Sequence, residues 1–185
     1  TPDQAPARLV AYRDPQFLQA MIDLLVEAST GYLIRQIDAG ADAIQIFESF
    51  AGALPPPLFR RWSLDPIAAI ARKVRAARPK AKIIVFARGA GFSLPTLVAE
   101  EIADGIGLDW AVDIGWARAA LSGAPALQGN LDPLALIAGG DALRAGVERI
   151  RTAMAGRPHI FNLGHGIQPE TPIAHVEELV RLVRA

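Results

Sequence analysis

The chain has 185 residues, 51% of them apolar, with 19 basic and 19 acidic side chains, three His and no Cys. That length accommodates one domain or part of a larger one, and the balanced charge argues against a nucleic-acid partner, whose phosphates would require a basic excess. The lack of Cys excludes a disulfide scaffold, a thiol nucleophile, a Cys-ligated zinc and an iron–sulfur cluster; no unbroken apolar run reaches the roughly 18 residues of a membrane span, and the polar, Pro-containing start does not read as a signal peptide.

In chain order, Asp14 and Pro15 start a long helix as N-cap and first helical residue. Phe17, Leu18, Met21, Leu24, Leu25, Leu33 and Ile37 recur near helical spacing, and Gly40 suits a left-handed cap. Ala43–Phe47 reads as a buried strand. Asp65-Pro66 opens a helix with Ile67, Ile70, Ala71 and Val74 on one face, and Pro79 follows its end. Lys82–Phe86 is a second strand, and Leu94, Leu97, Val98 and Ile102 stripe a helix that stops at Gly105. Ile106–Asp109 is a third strand, followed by a helix around Trp116 to Leu121; Ala126–Gln128 is a fourth. A broken helical stretch carries Leu143, Val147, Ile150 and Met154 and ends at Gly156. His159–Leu163 is the fifth strand, and the last helix starts at Thr171-Pro172 with Val176, Leu179, Val180 and Val183.

Apolar strands alternating with helices indicate an α/β fold with a parallel sheet. The strands begin near residues 42, 82, 106, 126 and 159. Their mean spacing of about 29 residues compares with roughly 31 per unit in a (β/α)8 barrel of about 250 residues. A doubly wound open sheet is the competing architecture. No linker or low-complexity stretch interrupts residues 1–185, which read as a single domain.

In such folds chemistry gathers at the carboxyl ends of the strands. Those ends carry Glu48-Ser49-Phe50-Ala51-Gly52, Arg88-Gly89-Ala90-Gly91, Asp109-Trp110, Gln128-Gly129-Asn130-Leu131-Asp132-Pro133 and Asn162-Leu163-Gly164-His165-Gly166. Asp132 has the character of a helix cap, Gly89 and Gly91 of a tight turn, and Arg88 of a solvated loop charge. Asp109 fits local backbone bonding and a functional role equally. Ser49 is a single hydroxyl, ambiguous by itself. His165, between two glycines just past a strand, has little room to be core and points to a ligand contact. His159 and His175 read as structural or surface residues. The glycines at 89–91 lack the third glycine of a dinucleotide fingerprint, no Walker A or Gly-x-Ser-x-Gly pattern occurs, and the three His sit on a strand, a loop and a helix, which disfavours a shared metal.

Taken together, Gln45–Gly52, Gly107–Trp110, Leu127–Pro133 and Asn162–Ile167, with Gly40–Ala43 before them, resemble the uroporphyrinogen decarboxylase family over nearly the whole chain. The resemblance implies a (β/α)8 TIM barrel, of which this chain is a partial barrel holding about five parallel strands and their helices. It implies that the family's N-terminal segment, bearing an arginine loop, the aspartate that grips the pyrrole N–H groups and a tyrosine, has no counterpart here. Tyr12 and Tyr32 are not given that tyrosine's role, and no catalytic residue is assigned.

By the same resemblance Ser49 and His165 are substrate-binding residues. The reaction is decarboxylation of the four acetate side chains of uroporphyrinogen to give coproporphyrinogen, in porphyrin and heme biosynthesis, with no metal or organic cofactor. The implied partners are the tetrapyrrole substrate, the missing N-terminal segment of the barrel and, in the intact protein, a second copy in a cytoplasmic homodimer; neither nucleic acid nor membrane is implied. A related group on the same fold transfers methyl groups with a zinc held partly by cysteine, which zero Cys disfavours. A reading of another class is a truncated, non-catalytic association fragment: a partial barrel has open sheet edges and uncovered apolar surface, so it would pair with its missing segment or another copy. By itself the fragment is expected to be inactive.

Overall fold

The computed structural model describes residues 4–185. The chain divides between Asp104 and Gly105 into two compact units.

In the first unit, helix α1 (Ala5–Arg13) precedes the long helix α2 (Pro15–Asp38). The sequence pattern gave only the second of these, because α1 has no continuous apolar stripe and buries only Ala11. Asp14 caps α2 as its position predicts, its carboxylate accepting from the Phe17 N–H at 3.0 Å, and Gly40 takes a φ of 105° beyond its end. The expected core stripe is corrected: Phe17, Met21, Leu24 and Leu25 are exposed, while Val26, Thr30 and Leu33 are buried. Apolar side chains lie around more than one face of α2, and packing selects one of them. By length and composition α2 is apolar enough to cross a membrane, with a mean hydropathy of 1.3. Asp23 and Glu27 interrupt its apolar run, and Glu27 pairs with Lys73.

Strand β1 (Ala43–Glu48) pairs in parallel with β2 (Lys82–Ala87), in register from Ala43 opposite Lys82 to Glu48 opposite Ala87. Between them α3 (Pro56–Phe59) and α4 (Asp65–Ala77) are joined by a wider helical turn, Arg60–Leu64, so helix begins well before Asp65. This corrects the expected start. Pro66 has no N–H for the preceding turn and its ring would crowd the carbonyl four residues back. The chain answers with a π-turn, in which the Asp65 N–H reaches the Arg60 carbonyl. Ile67, Ile70, Ala71 and Val74 of α4 are buried as their spacing predicts, each larger aliphatic being worth about 1.5–3 kcal/mol on burial. Arg78 joins the ends of α2 and α4 through two bonds of 2.6 Å to Asp38, holding that carboxyl below its usual range.

After β2, helix α5 spans only Leu94–Val98. It does not continue to Gly105 as the stripe suggests: Glu101 adopts a φ of 54°, and Ile102 is buried from the following loop. Asp104 then bonds back to β2, accepting from the Ile83 N–H at 3.0 Å. Burial pushes its carboxyl up, but that bond, with Lys82 and Arg75 alongside, holds it below its ordinary value.

The second unit carries three parallel strands, β3 (Gly105–Gly107), β4 (Leu127–Gln128) and β5 (His159–Ile160). Ile106 pairs with Leu127 and Leu127 with His159. Helix α6 (Ile114–Ala120) is capped by Asp113, which accepts from the Trp116 N–H at 2.7 Å. The broken stretch is two helices, α7 (Pro133–Ala138) and α8 (Gly140–Met154), separated at Gly139, whose φ is 67°. A Cβ at Gly139 would also collide with the His175 ring. The last helix, α9 (Ile173–Arg184), lays Val176, Leu179, Leu182 and Val183 on a cluster formed by Leu131, Leu136, Leu143, Val147 and Ile150. Val180, expected with them, is exposed. The expected strand His159–Leu163 is shorter, with an isolated bridge between Leu163 and Leu131 beyond its end. Five parallel strands with intervening helices make this an α/β fold of the (β/α)8 barrel class, in part.

Candidate functional site

In the first unit the carboxyl ends of β1 and β2 are stitched together by backbone. The Arg88 N–H donates to the Glu48 carbonyl and the Gly52 N–H to the Arg88 carbonyl, both at 2.9 Å. Ser49 lies in the turn between those bonds, exposed. The turn is shaped by Glu48, whose carboxylate accepts from the Phe50 N–H at 2.8 Å, an arrangement in which a strand-end acid organises a loop. Gly89 takes a φ of 72°, and the tight-turn expectation holds there. Arg88 is half-buried, more enclosed than a solvated loop charge.

In the second unit the strand ends converge on the Asn130-Leu131 dipeptide. Asn130 is fully buried, and its amide donates to the Asp109 carbonyl at 2.8 Å and to the Val112 carbonyl at 2.7 Å. It thereby fixes both ends of the loop that carries Trp110. Asp109 is itself buried and accepts from the Ala111 N–H at 2.9 Å, local backbone bonding being one of the two roles its position fits. Leu131 holds the other loop: its carbonyl accepts from the Gly164 N–H at 2.7 Å, and its N–H donates to the Asn162 carbonyl at 3.1 Å. Asp132 caps α7, accepting from the Leu134 N–H at 2.9 Å.

His165 emerges from this framework with its ring exposed. It meets Trp110 edge to face, with ring centroids 5.6 Å apart and planes at 81°. Gly164 permits the approach, since a Cβ there would fall on the Trp110 backbone nitrogen and 2.7 Å from its Cα. An exposed imidazole on a braced loop can donate a ring N–H to a carboxylate.

The other histidines face the protein. His159 is half-buried, with its Nε2 2.6 Å from the Gly129 carbonyl. Burial pushes its imidazole below the ordinary value, and the bond to Gly129 offsets only part of this. His175 sets Nδ1 against the last carbonyls of α7, Leu136 at 3.0 Å and Ile137 at 3.1 Å. Among the described residues no group of three or more His, Asp or Glu is placed to hold a metal ion. Sequence reasoning gave no role to Trp110 or to the amide of Asn130. The available signal was their adjacency to the Gly-Leu-Asp and Gly-x-Leu-Asp-Pro motifs, which marks a loop without revealing which side chain turns inward.

Comparison with known proteins gives a concordant result. Residues 3–185 match the family model described as Uroporphyrinogen decarboxylase (URO-D). A uroporphyrinogen decarboxylase of Rhizorhabdus wittichii is 50% identical over 182 residues, which cover 98% of this chain and 53% of that protein. One of Mesorhizobium japonicum is 51% identical over 185 residues, covering 100% and 54%. The chain thus spans about half the length of the curated relatives it matches. Among solved structures, a methyltransferase from Methanosarcina mazei superposes with a TM-score of 0.83 at 21% identity, covering 96% of this chain and 52% of that one. At that identity the likeness concerns the fold alone.

Proposed function

The chain belongs to the uroporphyrinogen decarboxylase family, and from that premise we propose that it supplies part of an enzyme converting uroporphyrinogen to coproporphyrinogen in porphyrin biosynthesis. The observation that carries this reading is the match of residues 3–185 to one family, with relatives of that name near half-identical over the same stretch. Residues 1–185 are read as part of a single barrel domain completed by a further segment.

The chemistry removes four carboxyl groups from acetate side chains. Protonation of a pyrrole carbon makes the ring a cationic electron sink. The bond to the carboxylate then breaks, its electron pair neutralises the ring and carbon dioxide leaves. Uptake of a proton at the exocyclic carbon and loss of the one on the ring give the methyl group. The substrate holds its own electron sink, so the protein's task is positioning and electrostatic stabilisation. Ser49 and His165 are proposed to bind substrate carboxylates, the hydroxyl by donating a hydrogen bond and the imidazole by donating from a ring N–H. The reaction is proposed to use no metal or organic cofactor, and the lack of Cys weighs against the zinc–thiolate methyl transfer of related barrels. Homodimer formation and a cytoplasmic location are part of the same proposal.

The test is an assay of the protein in full length for uroporphyrinogen consumption. Appearance of coproporphyrinogen, undiminished after dialysis against a chelator, supports the reading. A folded full-length protein that neither binds nor consumes uroporphyrinogen sinks it. The 185-residue chain by itself is expected to be inactive, and turnover by it would show that no further segment is needed.

A further inference from the structure

We infer that Trp110 is a positioning residue, which holds the imidazole of His165 in one orientation toward a substrate carboxylate. The inference rests on the substrate role proposed above for His165.

Three features of the second unit support it. The Trp110 ring stands edge to face with the His165 ring at 5.6 Å, a geometry that aromatic pairs favour and that restricts rotation of the smaller ring. The two rings are carried by loops braced against the same dipeptide: the Asn130 amide pins Asp109 and Val112 on either side of Trp110, and the Leu131 carbonyl takes the N–H of Gly164, next to His165. Gly164 removes the one side-chain atom that would hold the loops apart.

An imidazole free to rotate pays an entropic cost each time it binds. A ring already held in the binding orientation avoids part of it. Loss of Trp110 should therefore weaken substrate binding with little change in the chemical step.

The experiment compares the full-length protein with Trp110→Leu, Trp110→Phe and His165→Ala, each checked for folding by its melting curve. The readouts are KM, kcat and the ring proton and nitrogen signals of His165 by NMR. The proposal expects Trp110→Leu to shift the His165 signals and raise KM about 3- to 10-fold at nearly constant kcat, the size an aromatic contact can carry. Trp110→Phe, which restores a ring and keeps the loop folded if Leu does not, should recover most of both. Unchanged His165 signals and KM in Trp110→Leu, with KM raised in His165→Ala, would overturn the positioning role and leave the function of His165 intact. An unchanged KM in His165→Ala would instead remove the substrate role itself, and the inference with it.

Discussion

Gly52 and Gly89 meet backbone to backbone at the carboxyl ends of β1 and β2. A Cβ on Gly52 would lie 2.7 Å from the Gly89 carbonyl oxygen and 2.9 Å from its Cα. Backbone cannot swing aside as the tip of a side chain can, and the Gly52 N–H is tied to Arg88. Gly52→Ala is expected to lower stability by about 1–3 kcal/mol, the usual cost of overpacking. It should also displace the turn that carries Ser49. Urea denaturation measures the first effect, and substrate binding by the full-length protein the second; an unshifted midpoint would mean that the two loops separate easily.

Asn130→Asp keeps the shape of the side chain and removes its two donors. The Asp109 and Val112 carbonyls lose their partner, at about 1–3 kcal/mol for each buried group left unpaired, and a carboxylate in that fully buried place adds desolvation. The variant should be clearly less stable near neutral pH and recover part of the loss in acid, where the new carboxyl is neutral. A stability equal to that of the parent at pH 7 would show that the amide bonds contribute nothing.

The sequence disclosed the helix caps at Asp14 and Asp132 and the strand positions, because each depends on a few neighbouring residues. It disclosed Ser49 and His165 as loop residues past strand ends. It did not disclose the pairing of His165 with Trp110, because that contact spans 55 positions and depends on two loops being drawn to one dipeptide. Nor did it give the exposure of Phe17, Met21, Leu24 and Leu25, since periodicity shows that a helix has an apolar face without saying whether anything covers it. The helical start at Pro56 was hidden for a similar reason: Asp65-Pro66 has the composition of a helix N-terminus, and only the π-turn reconciles Pro66 with a helix already under way.

His159 couples stability to pH. Its folded imidazole is depressed below the ordinary value of 6.5 by burial, so the unfolded chain binds the proton more readily. Its contribution is therefore complete above 6.5 and falls away as pH drops through the folded value. His159→Gln, which can still donate to the Gly129 carbonyl, should lose less melting temperature than the parent between pH 7 and about pH 5. Parallel pH profiles for the two proteins would show that His159 does not contribute.

Arg157 spans the end of α6, donating to the carbonyls of Arg118 at 2.7 Å, Leu121 at 2.6 Å and Ala124 at 3.2 Å. Arg157→Met preserves the stem and removes all three bonds. A loss of about 1.5–3 kcal/mol is expected, the range for bonds made by a charged donor. Arg157→Lys should recover only part of it, because an ammonium lacks the planar fork. Equal denaturation midpoints for Met and the parent would assign the whole effect of Arg157 to its aliphatic stem.

The pairing of six residues between β1 and β2 contrasts with the two-residue pairings among β3, β4 and β5. A long, regular ladder opens cooperatively, whereas short runs of bonds can open one at a time. Amide deuterium uptake should therefore be slowest in Ile44–Phe86 strand positions of the first unit and faster along 129–132 and 162–164. Opening of the 162–164 run would release the Gly164 N–H from the Leu131 carbonyl, so exchange at Gly164 reports how firmly the loop under His165 is held.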